Sequence, residues 1–248
     1  MRELAFDRLA VIDSHSAGVG ALARGHLAEP VPGCPGWNVA DLVAHLTEVQ
    51  WFWATIVEGG LLEPPDEDRR PARAADEDLV SALAGQTAHL VQALRGADPR
   101  TRAWTWAPQQ QDVAFIARHQ VQEAAVHHWD AGSATRHAVV IERAVAVDAI
   151  EEFLTFSVSS DADLAEPPRP SLGGRLALRC TDGPEAWTVS DGRAPGALRF
   201  ETGAAPGTPA VEGAASDLLL WLYRRIRLDT SSVPDELLAR FTGLTFTS

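Results

Sequence analysis

Four residues of the sequence combine donor atoms with a spacing that suits a metal ion. His119, Glu123 and His127 follow one another at intervals of four residues in a predicted helix, so their side chains point the same way. The ends of this row are about 12 Å apart at 1.5 Å of rise per residue, so one ion cannot bind all three. An adjacent pair can chelate an ion if another helix supplies a further ligand. His45, on the apolar side of an earlier predicted helix, is the candidate for that ligand.

A set made of His45, Glu123 and His127 has the chemistry of a catalytic zinc site. Such sites use three N, O or S ligands and keep one position open for water or an incoming thiolate. From the residues alone, His45 also fits a satisfied core histidine, and Glu123 with His127 fits an ordinary surface pair. His119 could replace one of the three ligands, so the choice of ligands stays open at this point.

The N-terminal part of the chain is predicted to be helical. Its apolar residues recur at helical spacing in four long segments, which indicates an up-down four-helix bundle. Asn38, with Asp41 three residues later, predicts a capping box at the start of the second helix. The four predicted helices cover about residues 4–27, 38–58, 76–95 and 112–134, and a fifth follows at about 142–158.

The pattern changes after a proline-rich run at 167–170. Alternating apolar residues and glycine turns predict short strands near 175–179, 187–189 and 198–200, with a fourth starting near Val211. Two further helices are predicted at about 214–224 and 234–241. We therefore predict an all-helical domain over residues 1–160 and a small α+β domain over residues 161–248.

Composition excludes several classes of function. The 248 residues carry a net charge of -13, and an acidic chain binds nucleic acid poorly because phosphates repel it. All 21 basic residues are arginine, which excludes lysine Schiff-base chemistry and a P-loop, and suggests a high-GC source such as actinobacteria. Two cysteines cannot build a disulfide framework, and no signal peptide or membrane span is apparent. We expect a cytoplasmic protein that binds neither nucleic acid nor membrane.

Three segments of the chain resemble the mycothiol-dependent maleylpyruvate isomerase family, in the right order and over almost the whole length. They are VPGCPGWNVADLVAHLTEV, QEAAVHHWDA and VEGAASDLLLWLYRRIRLDTSSVPDELLARFTGL. The resemblance implies a DinB-like four-helix bundle followed by a small α/β domain of sterol-carrier-protein-like shape. It also implies that His45, Glu123 and His127 are the metal ligands. The cofactors it implies are Zn²⁺, or another divalent metal, and mycothiol.

The same resemblance implies a reaction. The metal lowers the pKa of the thiol, and the thiolate adds to an electrophilic carbon of a small substrate. In cis–trans isomerisation the adduct then rotates about the former double bond and expels the thiol. A mycothiol S-transferase, which releases the adduct as a conjugate, is one alternative, and a non-catalytic metal-binding stress-response module is another. The partners are a small electrophile and a low-molecular-weight thiol, and the oligomeric state stays open between monomer and dimer.

Two departures from the family pattern bear on the substrate. The family's Trp-Leu-x-Gly-Arg run is matched here by the segment from Trp221 to Arg225, which implies that Arg225 holds a substrate carboxylate through a bidentate contact. The alternative role for Arg225 is a cation at a helix C-terminus. Arg224 replaces the glycine, and we expect its side chain to crowd a close approach there. Gln122 replaces a histidine that often precedes the acidic ligand, which could weaken support of the site.

Three other residues near these segments carry weaker expectations. Cys34 lies in a tight Pro-Gly loop and is expected to be structural rather than nucleophilic. Trp37 is expected in the core. Asp130, three residues after His127, could orient that ligand or could be a surface charge at the helix end.

Overall fold

The chain forms two compact units. A computed structural model describes residues 6–158 and 169–247, and the units are Met1–Ile141 and Glu142–Ser248. The predicted boundary between residues 160 and 161 lies outside the described residues. The units divide earlier in the chain, so the fifth predicted helix is counted with the C-terminal unit.

Four long helices build the N-terminal unit. The capping box predicted for the second helix is present, since the Asn38 side chain accepts from the Asp41 amide and the Asp41 carboxylate accepts from the Asn38 amide. Asp112 caps the fourth helix by accepting from the amide of Phe115. The helices are α1 (Arg8–Ala23), α2 (Val39–Gly59), α3 (Leu79–Gly96) and α4 (Val113–Thr135), with a 3₁₀ turn at Glu67–Arg69.

The helices do not pack in the predicted up-down order, in which successive helices are neighbours. Instead α1 packs against α4 and α3, and α2 packs against α3 and α4, while α1 and α2 touch little. The connections at 24–38, 60–78 and 97–112 explain this, because they exceed the roughly two to eight residues that join adjacent helices in bundles. This arrangement sets α2 beside α4, the two helices that carry the metal candidates.

The centre of the bundle is apolar and tightly buried. Part of its core lies between α1, α2 and α3 and is closed by residues of the loop before α2. Its members include Val19, Val39, Leu42, Leu46 and Leu83. Burial of branched side chains on several helices at once holds α2 in place, and with it the residues on its other face.

The C-terminal unit is a small α/β structure, as predicted. Its four strands are β1 (Arg175–Cys180), β2 (Ala186–Asp191), β3 (Leu198–Thr202) and β4 (Ala210–Gly213). They are ordered β3-β2-β1-β4, with β1 parallel to β4 and the other pairs antiparallel. Leu178 pairs with Trp187 and Leu176 with Val189, which places the buried side chains of β1 and β2 side by side. The helices of this unit are α5 (Arg143–Phe156), α6 (Ala215–Leu222) and α7 (Asp235–Gly243).

Arg224 ends α6 in a conformation that usually belongs to glycine. Its φ is 62°, and the amides of Arg224 and Arg225 donate to the carbonyls of Trp221 and Leu220, which is the bonding of a Schellman motif. The Arg224 guanidinium extends to the carbonyls of Thr242 and Thr245 at the end of α7. A left-handed backbone at this position is the conformation that glycine adopts most readily, which accounts for a glycine in the family pattern. The crowding of a close approach expected for Arg224 stays a prediction.

None of the helices in the described ranges is both long enough and apolar enough to cross a bilayer.

Candidate metal centre

The packing of α2 beside α4 brings together the three side chains that the resemblance implied as ligands. Nε2 of His127 lies 3.3 Å from Oε2 of Glu123, and Nε2 of His45 lies 3.9 Å from the same oxygen. One donor atom from each of the three residues lies within 4.8 Å of the other two. Residues that are 78 positions apart in the chain, His45 and Glu123, therefore share one small volume.

Glu123 and His127 are buried, whereas His45 is half-buried and reaches solvent. Burial raises the pKa of Glu123, but hydrogen bonds from His127 and His45 outweigh it and lower that pKa well below its usual range. Burial likewise lowers the pKa of His127, and hydrogen bonds with Asp130, Cys34 and Glu123 raise it well above its usual value. Glu123 is thus held as a carboxylate, the form that can bind a cation.

The second ring nitrogen of His127 is also engaged. Oδ2 of Asp130 accepts a hydrogen bond from Nδ1 of His127 at 3.0 Å, and the Cys34 thiol donates to the same oxygen at 3.6 Å. Asp130 is fully buried, so it is not the surface charge that the sequence left open. A carboxylate behind a histidine fixes which nitrogen faces the metal position and makes it more basic.

Aromatic rings form one side of the cluster. The Trp37 ring centroid lies 4.8 Å from that of His45 and 6.4 Å from that of His127, stacked on the latter. Trp37 is half-buried and packs against the apolar core, as expected, and it also borders the candidate ligands. The sequence signal that could have predicted this location is the position of Trp37 next to Asn38, at the start of the helix that carries His45.

His119 occupies a different environment from the other candidates. Its Nε2 lies 3.6 Å from Oε1 of Glu123, the oxygen turned away from His127. Its ring is buried and stacked on Phe115, and the edges of Trp53 and Trp106 close around it. His119 therefore packs beside Glu123 and does not join the group of three converging donor atoms, as the spacing along α4 requires.

The donor set fits a divalent metal ion. Two imidazoles and one carboxylate are the ligands that zinc sites with an open position use, and the aspartate behind His127 is the support such ligands have. Gln122, which stands where the family often has histidine, is buried, and its Oε1 has no hydrogen-bond partner among the described residues. Metal binding itself stays a prediction.

Arg225 belongs to the C-terminal unit. Its side chain is half-buried, and its Nη1 donates to the carbonyl of Tyr223 at 2.9 Å. The carboxylate contact that the resemblance implied for Arg225 stays a prediction.

Comparisons with known proteins agree with the geometry. A family model described as the mycothiol maleylpyruvate isomerase N-terminal domain matches residues 9–132. A crystal structure of the mycothiol-dependent maleylpyruvate isomerase superposes with a TM-score of 0.56 and 15% identity, over 86% of each chain. A mutant of that enzyme with one histidine changed to alanine gives 0.54 over the same shares. No curated protein matches the chain in sequence.

At 15% identity these two structures show the fold, and it is the fold expected from the sequence. The family model is stronger evidence of family membership, because it spans half of the chain and includes the segments that hold His45, Glu123 and His127. The chain belongs to the mycothiol maleylpyruvate isomerase family.

Proposed function

We propose that the protein is a mycothiol-dependent metalloenzyme that isomerises a small electrophilic carboxylate about a double bond. The observation that carries the proposal is the convergence of His45, Glu123 and His127 in a chain of this family. Zn²⁺ or another divalent ion at this position lowers the pKa of a thiol and so supplies thiolate at neutral pH. Mycothiol is the thiol because solved relatives of this fold are described as mycothiol-dependent.

The residues of the chain have separate roles in this proposal. His45, Glu123 and His127 bind the metal, and Asp130 orients His127 through its Nδ1. Glu123 and His127 are buried and would exclude water from a bound ion, whereas half-exposed His45 would give a thiol access to it. Arg225 holds the substrate carboxylate through its fork of donors.

The charges of these groups suit the chemistry. A three-ligand set with one carboxylate leaves a divalent ion with a net positive charge, which favours an anionic thiolate over the neutral thiol. An arginine at the carboxylate of the substrate offsets the negative charge of a chain with a net charge of -13. We place the reaction in the cytoplasm, where low-molecular-weight thiols are kept reduced.

Metal analysis followed by an electrophile screen tests the proposal. We expect about one divalent ion per chain, and product only when both metal and mycothiol are present. The thiol count identifies the reaction, because an isomerase regenerates mycothiol and consumes none. One mycothiol consumed per product would instead establish an S-transferase.

The control is the same protein after removal of its metal by a chelator and then after reconstitution. Activity that disappears and returns with the ion ties the reaction to the metal. Bound metal without any thiol-dependent turnover across the screen would contradict the proposal and leave a non-catalytic metal-binding module.

A further inference from the structure

A cavity of about 500 Å³ opens beside the candidate metal centre, within the N-terminal unit. Its walls come from α2, α3, Trp37 and the segment at 71–74. His45 is part of the lining, so one imidazole borders both the cavity and the donor cluster. The volume falls in the range of roughly 300–1,000 Å³ that small-molecule sites occupy.

Two indole rings line this cavity. Trp37 lies against His45, and Trp51 lies six residues after His45 on α2, about 9 Å further along the helix. Both tryptophans are half-buried, so each is anchored in the protein and keeps part of its ring surface open. A flat apolar surface with fixed orientation suits a ring that is apolar on its C–H face and polar at its edges.

Polar side chains complete the lining. Asp41, Glu48, Thr47 and Gln86 offer oxygen acceptors, and Gln86 and Thr47 also carry donors. Arg73, the cation in the lining, is already paired with Asp41, with 2.6 Å between Nη1 and Oδ1. Glu48 is paired as well, with 3.0 Å between its Oε1 and Nη1 of Arg70. Each carboxylate of the lining thus has a guanidinium partner, so the charges balance, which favours a neutral ligand with many hydroxyl groups.

We propose that this cavity binds the sugar part of the thiol cofactor, a neutral hydroxyl-rich ring, with the sulfur directed to His45. The proposal rests on the proposed function, since it assigns a place to the thiol of that reaction. Mycothiol carries a glucosamine–inositol unit on its cysteine, so it has both the hydroxyl-rich rings and the thiol. Trp51 packs on a sugar ring, and Gln86 binds its hydroxyls. A carboxylate substrate is disfavoured in this cavity because Arg73 and Arg70 are already paired with Asp41 and Glu48.

Equilibrium binding by calorimetry to the metal-loaded protein tests this assignment with three probes. The probes are mycothiol, N-acetylcysteine amide, which has the thiol without the sugar, and N-acetylglucosaminyl-inositol, which has the sugar without the thiol and is neutral like mycothiol. We expect Trp51→Ala and Gln86→Ala each to weaken the binding of mycothiol and N-acetylglucosaminyl-inositol roughly tenfold. Binding of N-acetylcysteine amide and metal content should stay unchanged. Trp51→Phe, which keeps an aromatic face, should recover part of the loss.

Gln92→Ala is the matched control, because Gln92 is exposed on α3 and lies outside the cavity lining. If Gln86→Ala and a folded Trp51→Ala bind mycothiol as the unchanged protein does, the sugar lies elsewhere and this inference is wrong, while the proposed function stands. Weakened binding of a dicarboxylate with unchanged mycothiol binding would also overturn it. If the unchanged protein binds mycothiol and N-acetylcysteine amide equally well, the inference and the mycothiol dependence are overturned together.

Discussion

Nδ1 of His127 lies 3.0 Å from Oδ2 of Asp130, deep in the bundle, and this contact orients the imidazole. Because Nδ1 is engaged there, Nε2 is the nitrogen that faces Glu123, at 3.3 Å. The same Asp130 oxygen accepts from the Cys34 thiol, so the loop before α2 is tied to α4 at this point. The orientation of the His127 imidazole toward the other candidate ligands therefore depends on Asp130, which is not one of the three candidate ligands.

Removal of Asp130 should weaken the metal site without destroying it. We expect Asp130→Ala to lower metal affinity by roughly 10- to 100-fold, the usual effect of losing the carboxylate behind a metal-binding histidine. Asp130→Asn should lose less, because an amide oxygen can still accept from Nδ1. Competition with a chromophoric chelator measures the affinity. Asp13→Ala, at an exposed position on α1, is the control, and equal affinities in all variants would refute the orienting role.

The three candidate ligands should act as one set. Loss of one ligand from a three-ligand site removes most of the affinity, so His45→Ala, Glu123→Ala and His127→Ala should each abolish tight metal binding. The helices should remain, as judged by far-UV circular dichroism, because the apolar core is untouched. Metal content after dialysis is the readout.

His89→Ala is the control for the ligand variants, since His89 pairs with Glu58 away from the cluster. Stoichiometric metal in all three ligand variants would place the site elsewhere. His119, which lies 3.6 Å from Glu123, would then be the next ligand to test.

The sequence predicted the elements well because their signals are local. The capping box at Asn38 and Asp41 and the alternation around Leu176 and Leu178 involve residues within one turn or one strand. The shared direction of His119, Glu123 and His127 on α4 also followed from helical geometry alone. The resemblance, by contrast, was needed to select His45, because nothing in its spacing separates a ligand from a core histidine.

The packing of the bundle and the surroundings of the site could not be predicted in the same way. The diagonal placement of α1 and α2 depends on long connections whose paths carry no local signal. Asp130 is buried and contacts Cys34, which is 96 residues away in the chain. Tertiary contacts of this kind decide whether a charge at a helix end faces water or a ligand.

Arg224 offers a test of the left-handed turn after α6. Arg224→Gly and Arg224→Ala both lose the bonds to the Thr242 and Thr245 carbonyls, so they differ mainly in backbone freedom. At a φ of 62° we expect the glycine variant to be more stable than the alanine variant by about 1 kcal/mol. Urea unfolding measures the difference. Equal stabilities would mean that residue 224 does not hold this conformation in solution.

Cys34 should not be the nucleophile. Its thiol donates to Asp130, and a serine hydroxyl can make the same donation, so Cys34→Ser should retain thiol-dependent activity at a modest loss of stability. Turnover with mycothiol, normalised to bound metal, is the measurement. A folded, metal-loaded Cys34→Ser protein without activity would assign a chemical role to this cysteine.

Arg225 should matter for substrates that carry a carboxylate and not for neutral ones. A bidentate contact between a guanidinium and a carboxylate out of bulk water contributes on the order of 1.5–3 kcal/mol, the range for hydrogen bonds to charged groups. Arg225→Ala should therefore reduce kcat/KM by roughly 10- to 150-fold for a carboxylate substrate, at about 1.4 kcal/mol per decade. Metal content should not change, because the candidate ligands belong to the other compact unit.

Two further variants separate charge from geometry at this position. Arg225→Lys should restore only part of the activity, because lysine keeps the charge and loses the fork of donors. Arg227→Ala is the control, since Arg227 is exposed two residues further along the chain and lies outside the left-handed turn. If Arg225→Ala slows a neutral electrophile as much as a carboxylate, the arginine acts through the structure of the α6 terminus, where its Nη1 binds the Tyr223 carbonyl. Unchanged kcat/KM for both substrates would remove the carboxylate role and favour an S-transferase that accepts uncharged electrophiles.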